Sequence, residues 1–183
     1  MALLRALNIS VSQDGFTAGP SQSLENPLGV GGDKLHEWAF ATIMGGNMFG
    51  PIRGEWSNHD WKGWWGDNPG FRHPVVVLTH FDRPTIGYEN GTRFTFVTGG
   101  VDVAYRLAVN AAGKKDIRLG EGASTIRQYL NSGLLDELHT ASVPISLGSG
   151  ERLLSEDGDD LNVYELERRV ESGAVTHLVY QIN

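Results

Sequence analysis

The sequence contains no cysteine. Disulfides, thiol nucleophiles and thiolate metal sites are therefore excluded. Positive charge is also scarce: 15 Lys and Arg stand against 22 Asp and Glu, for a net charge of -7. General affinity for nucleic acid needs a positive surface, so nucleic acid is not an expected partner. No apolar run approaches the roughly 20 residues of a helical membrane span, and no membrane association is expected. The opening stretch, "MALLRALNISVSQDGF", has one arginine and a short apolar run cut by Asn8. It reads as a first strand rather than a signal peptide, and a cytoplasmic protein is the default expectation. H-E-x-x-H, G-x-S-x-G and P-loop spacings are missing too, so neither a metal centre nor acyl transfer is expected.

What is present is 183 residues, enough for one domain with a sizeable core and short for two; residues 1–183 are read as a single domain. Glycine is abundant, at 24 residues, which predicts tight turns and close backbone approaches. Residues 3–12 alternate as a strand ended by the turn pair Asp14-Gly15. Asp33 is placed to cap a helix with Leu35, Trp38 and Phe40 as apolar positions, running into a buried segment from Ala41 to Met44. "PVVVLTH" is the clearest buried strand, and "RFTFVT" is a second. A helix begins at Val101 and stops at Gly113. Strand "DIRLG", helix "ASTIRQYLNSG" and strand "LLDELHTASVPI" follow. The last two strands flank Glu171-Ser172-Gly173 as a hairpin. The alternating middle predicts a parallel sheet with helices on both faces, and the hairpin requires an antiparallel edge.

Two stretches stand out. Residues 50–74 have no clean period yet hold four of the five tryptophans, at 56, 61, 64 and 65; a loop this costly to order usually has a function or covers one. In "DIRLGEGAST", glycines stand between a strand and a helix, where bare N–H groups and the helix dipole suit a phosphate. A carboxylate, Glu121, sits between them.

These segments, with "VSQDGF", "IMGGNMF", "VVVLTH", "DIRLGEGASTIRQYLNSGLLDEL" and "VPISLGSGERLL" in this order, resemble the dihydrofolate reductase-like superfamily. The similarity is greatest to the reductase domain of the riboflavin-biosynthesis deaminase/reductase, and it covers nearly the whole chain. It implies a three-layer α/β fold: a mixed, mostly parallel sheet of about eight strands, with an antiparallel C-terminal hairpin. It further implies an NADPH or NADH cofactor across the carboxyl ends of the parallel strands, hydride transfer to a small heterocycle such as a pyrimidine or pterin, and a homodimer.

Carried over residue by residue, the resemblance assigns Gly45 and Gly46 to a phosphate-contacting turn. Leu78, Thr79 and His80 fall near the adenosine phosphate. Gly120, Glu121, Gly122, Ala123 and Ser124 form the pyrophosphate turn, with Glu121 where a third glycine is usual. Asp14 and Gly15 match a turn beside the nicotinamide. Asp33, His36 and Glu37 are candidate proton donors on the helix lining the substrate cleft, with Trp38, Trp61 and Trp64 as candidate substrate-stacking residues. NADPH-preferring members place an arginine directly after the first glycine. This chain has Gly46 and Asn47 there, which implies a modest preference for NADPH over NADH. Glu121 leaves three accounts open: it turns outward and caps a neighbouring N–H, it disfavours phosphate, or it meets a non-standard ligand. The alternative to a reductase is the same fold with lost or altered cofactor use.

Overall fold

The computed structural model describes residues 4–6, 20–21, 30, 39–51, 54–56, 59–120, 122–142, 153–154, 161–173 and 175–182. Nine strands and three helices lie among them: β1 (Leu4–Ala6), β2 (Ala39–Gly45), α1 (Gly46–Phe49), β3 (Pro74–Leu78), β4 (Ile86–Gly87), β5 (Arg93–Val97), α2 (Val101–Ala112), β6 (Asp116–Leu119), α3 (Ala123–Asn131), β7 (Glu137–Ser142), β8 (Tyr164–Ser172) and β9 (Val175–Ile182). They form one sheet in the order β4-β5-β3-β2-β6-β1-β7-β9-β8. The six strands from β5 to β7 in that order pair in parallel. Antiparallel pairs close both ends, β4 on β5 and β7-β9-β8 at the other. This is the expected mixed sheet with its C-terminal hairpin, extended by the short β4.

The two faces of the sheet are packed differently. On one, α2 buries Ala104, Ala108 and Ala112, a small-residue stripe at helical spacing that lets the helix approach closely. It shares a core with Ala41 and Ile43 of β2, Val76 of β3, Ile117 and Leu119 of β6, and Tyr129 and Leu130 of α3. Tyr129 donates its hydroxyl to the Val101 carbonyl at 3.2 Å, tying α3 to the start of α2. The opposite face carries Met44, Val75, Val77, Phe94 and Phe96. It is covered by Phe49 of α1 and by Trp56, Trp61, Trp65 and Phe71 from the long loop.

One expectation fails in part. The helix proposed from Asp33 through Phe40 does not reach Phe40: Ala39 and Phe40 already belong to β2. "AFATIM" is apolar throughout, so periodicity cannot choose between helix and buried strand. The choice comes from pairing, because β2 is hydrogen-bonded on one side to β3 and on the other to β6. A helical turn, α1, follows directly on β2.

Candidate functional site

Parallel pairing puts the carboxyl ends of β3, β2 and β6 on one edge. Gly45 is level with Leu78, and Ile43 with Leu119. The Gly120 N–H then donates to the Ile43 carbonyl at 2.7 Å. The structure therefore brings together Gly45, Gly46, Leu78, Gly120, Gly122, Ala123 and Ser124 as the carboxyl ends of neighbouring strands and the elements that follow them. Thr79 belongs to the same group: its N–H donates to Val97 O at 3.0 Å, and its hydroxyl accepts from Phe81 N–H at 3.3 Å. His80 follows and is exposed.

Packing explains several of these glycines. A Cβ on Gly45 would collide with the Thr125 hydroxyl of α3. One on Gly120 would lie 3.1 Å from Met48 Sδ and 3.2 Å from the Ile43 carbonyl. Gly46 packs on Thr79, whose hydroxyl would be 3.4 Å from an added Cβ. So Gly45 is constrained by contact with Thr125 and Gly120 packs tightly on Ile43 and Met48, whatever they do for a ligand. Gly122 differs. It is exposed, its φ is +126°, and the nearest atom to an added Cβ, Thr125 Oγ1, is 3.7 Å away. It is the N-cap of α3, no side chain caps that end, and the first turn holds no acidic residue. The first N–H groups of a helix have no partner within it, and with the helix dipole they make this end positive. A phosphate fits such a donor set.

The aromatic loop adjoins α1. The Trp64 backbone N–H donates to the Phe49 carbonyl at 3.2 Å. The Trp61 indole nitrogen lies 2.8 Å from where a Cβ on Gly50 would stand, and the two indoles meet edge-on at 5.4 Å. Trp64 is 58% exposed. Both tryptophans therefore lie against the end of α1, the helical turn that follows Gly45. Asp14, Gly15, Asp33, His36, Glu37, Trp38 and Glu121 lie outside the described residues, as does the segment 143–150.

Arg83 is the functional candidate that the linear sequence did not signal. Its side chain is buried, and burial pushes the guanidinium below its usual pKa. It stands after β3 in "THFDRP", where a charged residue reads as ordinary surface, and nothing nearby in the chain points to the rings that enclose it.

The RibD C-terminal domain matches residues 6–175. A relative from Bacillus subtilis (strain 168), the uncharacterized protein YyaP, is 36% identical over 69 residues, so the match spans 38% of this chain and 37% of the relative. Among solved structures, a protein assigned to riboflavin biosynthesis in Shewanella sp. PV-4 superposes with a TM-score of 0.59 at 23% identity, over 100% of this chain and 99% of its own. A pyrimidine reductase-like protein from Corynebacterium diphtheriae gives 0.54 at 16% identity, over 100% and 92%. The diaminohydroxyphosphoribosylaminopyrimidine deaminase/5-amino-6-(5-phosphoribosylamino)uracil reductase of Thermotoga maritima gives 0.54 at 10% identity; this chain is wholly covered and spans 57% of that one. At these identities the likeness is one of fold.

Proposed function

The chain belongs to the RibD C-terminal domain family, and from that premise we propose that it is an NAD(P)H-dependent reductase of a small heterocycle, a pyrimidine, pterin or similar compound. The observation that carries this reading is the meeting of the Gly45–Gly46 and Gly120–Ser124 turns at the carboxyl edge of adjacent parallel strands. In open α/β sheets, ligands bind beyond the carboxyl ends of the strands. The N–H groups of Gly46 and of the Gly122–Ser124 turn, with the Thr79 hydroxyl, would hold the dinucleotide phosphates. When bound, the nicotinamide supplies the hydride. Reduction of a C=N bond also needs one proton, and the resemblance assigns that proton to Asp33, Glu37 or His36. A carboxyl in this role needs burial to raise its pKa toward neutrality.

The same reading includes a homodimer in the cytoplasm. The edge strand β8 leaves Leu166 50% and Val170 46% exposed, and a second copy would cover such an edge. Light scattering coupled to size exclusion tests this.

A second reading, the same fold without dinucleotide chemistry, is favoured by Gly46 and Asn47, which stand where NADPH-preferring relatives carry arginine, and by Glu121. Titration with NADPH and with NADH, followed by the fluorescence of Trp61 and Trp64, separates the two. Saturable quenching by either dinucleotide supports the reductase. No binding by either overturns it.

A further inference from the structure

Arg83 is 4% exposed. A cation taken out of water is normally matched by a carboxylate, yet among the described residues the guanidinium has no acidic partner. Its carbon instead lies 4.8 Å from the ring centre of Trp56, 5.3 Å from Phe96 and 5.4 Å from Phe49. One nitrogen, Nη2, donates to the His59 carbonyl at 2.9 Å and to the Trp61 carbonyl. A reciprocal bond crosses the same gap, from the Trp56 indole N–H to the Phe81 carbonyl at 3.0 Å. Ring faces and carbonyl dipoles surround the charge, although the other terminal nitrogen, Nη1, is buried without a hydrogen-bond partner among the described residues, and the side chain joins the segment after β3 to the middle of the aromatic loop.

The loop in turn encloses α1. Gly63, with φ +95°, lies so close to the Phe49 ring that a Cβ there would come within 2.8 Å of it. Trp64 bonds the Phe49 carbonyl, and Trp61 lies on Gly50. A four-residue helix has no stability of its own, so α1 stays where Phe49 is held. Phe49 is fully buried among Trp56, Phe94 and Phe96, and α1 begins at the Gly45–Gly46 turn.

We propose that Arg83 is a positioning residue: it ties Trp56, His59 and Trp61 of the aromatic loop against α1 and so sets the Gly45–Gly46 turn and the Trp61–Trp64 pair, without itself touching a ligand. The role in ligand binding rests on the reading of those glycines as part of a dinucleotide site. The planar, weakly hydrated guanidinium suits the ring contacts: a lysine keeps the charge and can donate to a carbonyl, but its compact, strongly hydrated ammonium cannot lie flat among three rings, and an apolar side chain leaves the His59 and Trp61 carbonyls without this donor.

The test uses R83A and R83K in the full chain, with far-UV circular dichroism to verify folding. R83A is expected to shift tryptophan emission to the red and to weaken NADPH and NADH by the same factor, tenfold or more. Guanidinium at non-denaturing, millimolar concentration should enter the vacated box and recover at least half of both signals, whereas equal sodium chloride should not. R83K should weaken binding less, by about threefold, and should not respond to guanidinium. A folded R83A with emission and affinities within twofold of wild type overturns the proposal, as does a loss that guanidinium leaves unchanged. If R83A does not fold, R83K decides: wild-type emission and affinity refute the role, and the partial loss supports it. If the wild type binds neither dinucleotide, the reductase reading fails separately, and the emission shift with its recovery by guanidinium still decides what Arg83 does to the loop.

Discussion

On one face of the sheet, three alanines of α2 settle onto Ala41, Ile43 and Val76. On the other, Phe49, Phe94 and Phe96 meet tryptophans delivered by a loop with no repeating pattern. The first face is mostly aliphatic, with Tyr129 and Tyr164 as its buried rings, and is built by regular elements whose apolar residues recur at fixed spacing. The second is aromatic and depends on edge-to-face ring geometry and one buried guanidinium. Helix-to-sheet packing tolerates modest changes of shape, because aliphatic side chains can repack. A cluster of edge-to-face rings around a cation tolerates less, since each ring's orientation depends on the next.

The largest expected effect tests that contrast directly. Phe49→Ala removes the ring at the centre of the aromatic face and should cost about 3–5 kcal/mol, measured by denaturant unfolding, with a loss of near-ultraviolet circular dichroism. Ile43→Val on the aliphatic face should cost about 0.5–1.5 kcal/mol. Because the two substitutions remove different volumes, Ile43→Ala is the fairer control. If it collapses the near-ultraviolet signal as fully as Phe49→Ala, the two faces do not differ as argued.

A second experiment probes the junction between the faces, where β2 passes into α1. Gly45→Ala forces a methyl group against the Thr125 hydroxyl and should cost about 1–3 kcal/mol. Thr125→Ala removes that oxygen, so the double variant should regain most of the loss. The coupling between them is expected at about 0.5–3 kcal/mol. Simple additivity would show that Gly45 is glycine for another reason.

Glu121→Gly is expected to act on binding more than on stability. If the carboxylate faces the phosphate site, its removal should tighten NADPH and NADH about tenfold, roughly 1.4 kcal/mol, and the gain should persist in part at high salt. If Glu121 caps the turn from outside, affinity should stay unchanged and the melting temperature fall slightly.

The smallest effect belongs to the antiparallel end of the sheet. His139 Nε2 and His177 Nδ1 are 3.2 Å apart across β7 and β9. Burial first, then His177, hold His139 below its ordinary pKa, with Arg168 adding to the shift and Glu137 opposing it. Its folded-state pKa is thus below the unfolded value of about 6.5. The stabilisation is complete above that pH and is lost as pH falls through it toward the folded value. Melting temperature should therefore drop between about pH 7.5 and 5.5, and less so in His177→Asn. A drop of equal size in both would remove the pair from the explanation.

How much could be read in advance follows the same division. "PVVVL", "RFTFV", the helix ending at Gly113 and the hairpin at Ser172-Gly173 were legible because period and turn chemistry are local. The placement of Gly45 and Gly120 at one sheet edge was legible through the order of elements. Phe40 was misread because an unbroken apolar run suits helix and buried strand alike. The packing reason for Gly45, which lies in Thr125, is 80 residues away in the chain.

The sequence by itself determined the alternation of strands and helices, the antiparallel C-terminal pair and the glycine turns at the carboxyl edge of the sheet. These are written in hydrophobic spacing and in residues with special backbone freedom, and both act over a few positions. Only the tertiary structure decided that residues 39 and 40 are strand, that Arg83 is enclosed by Phe49, Trp56 and Phe96, and that the tryptophan loop wraps α1. Those outcomes depend on which distant groups satisfy a backbone hydrogen bond or surround a charge, and only the folded chain makes those groups neighbours.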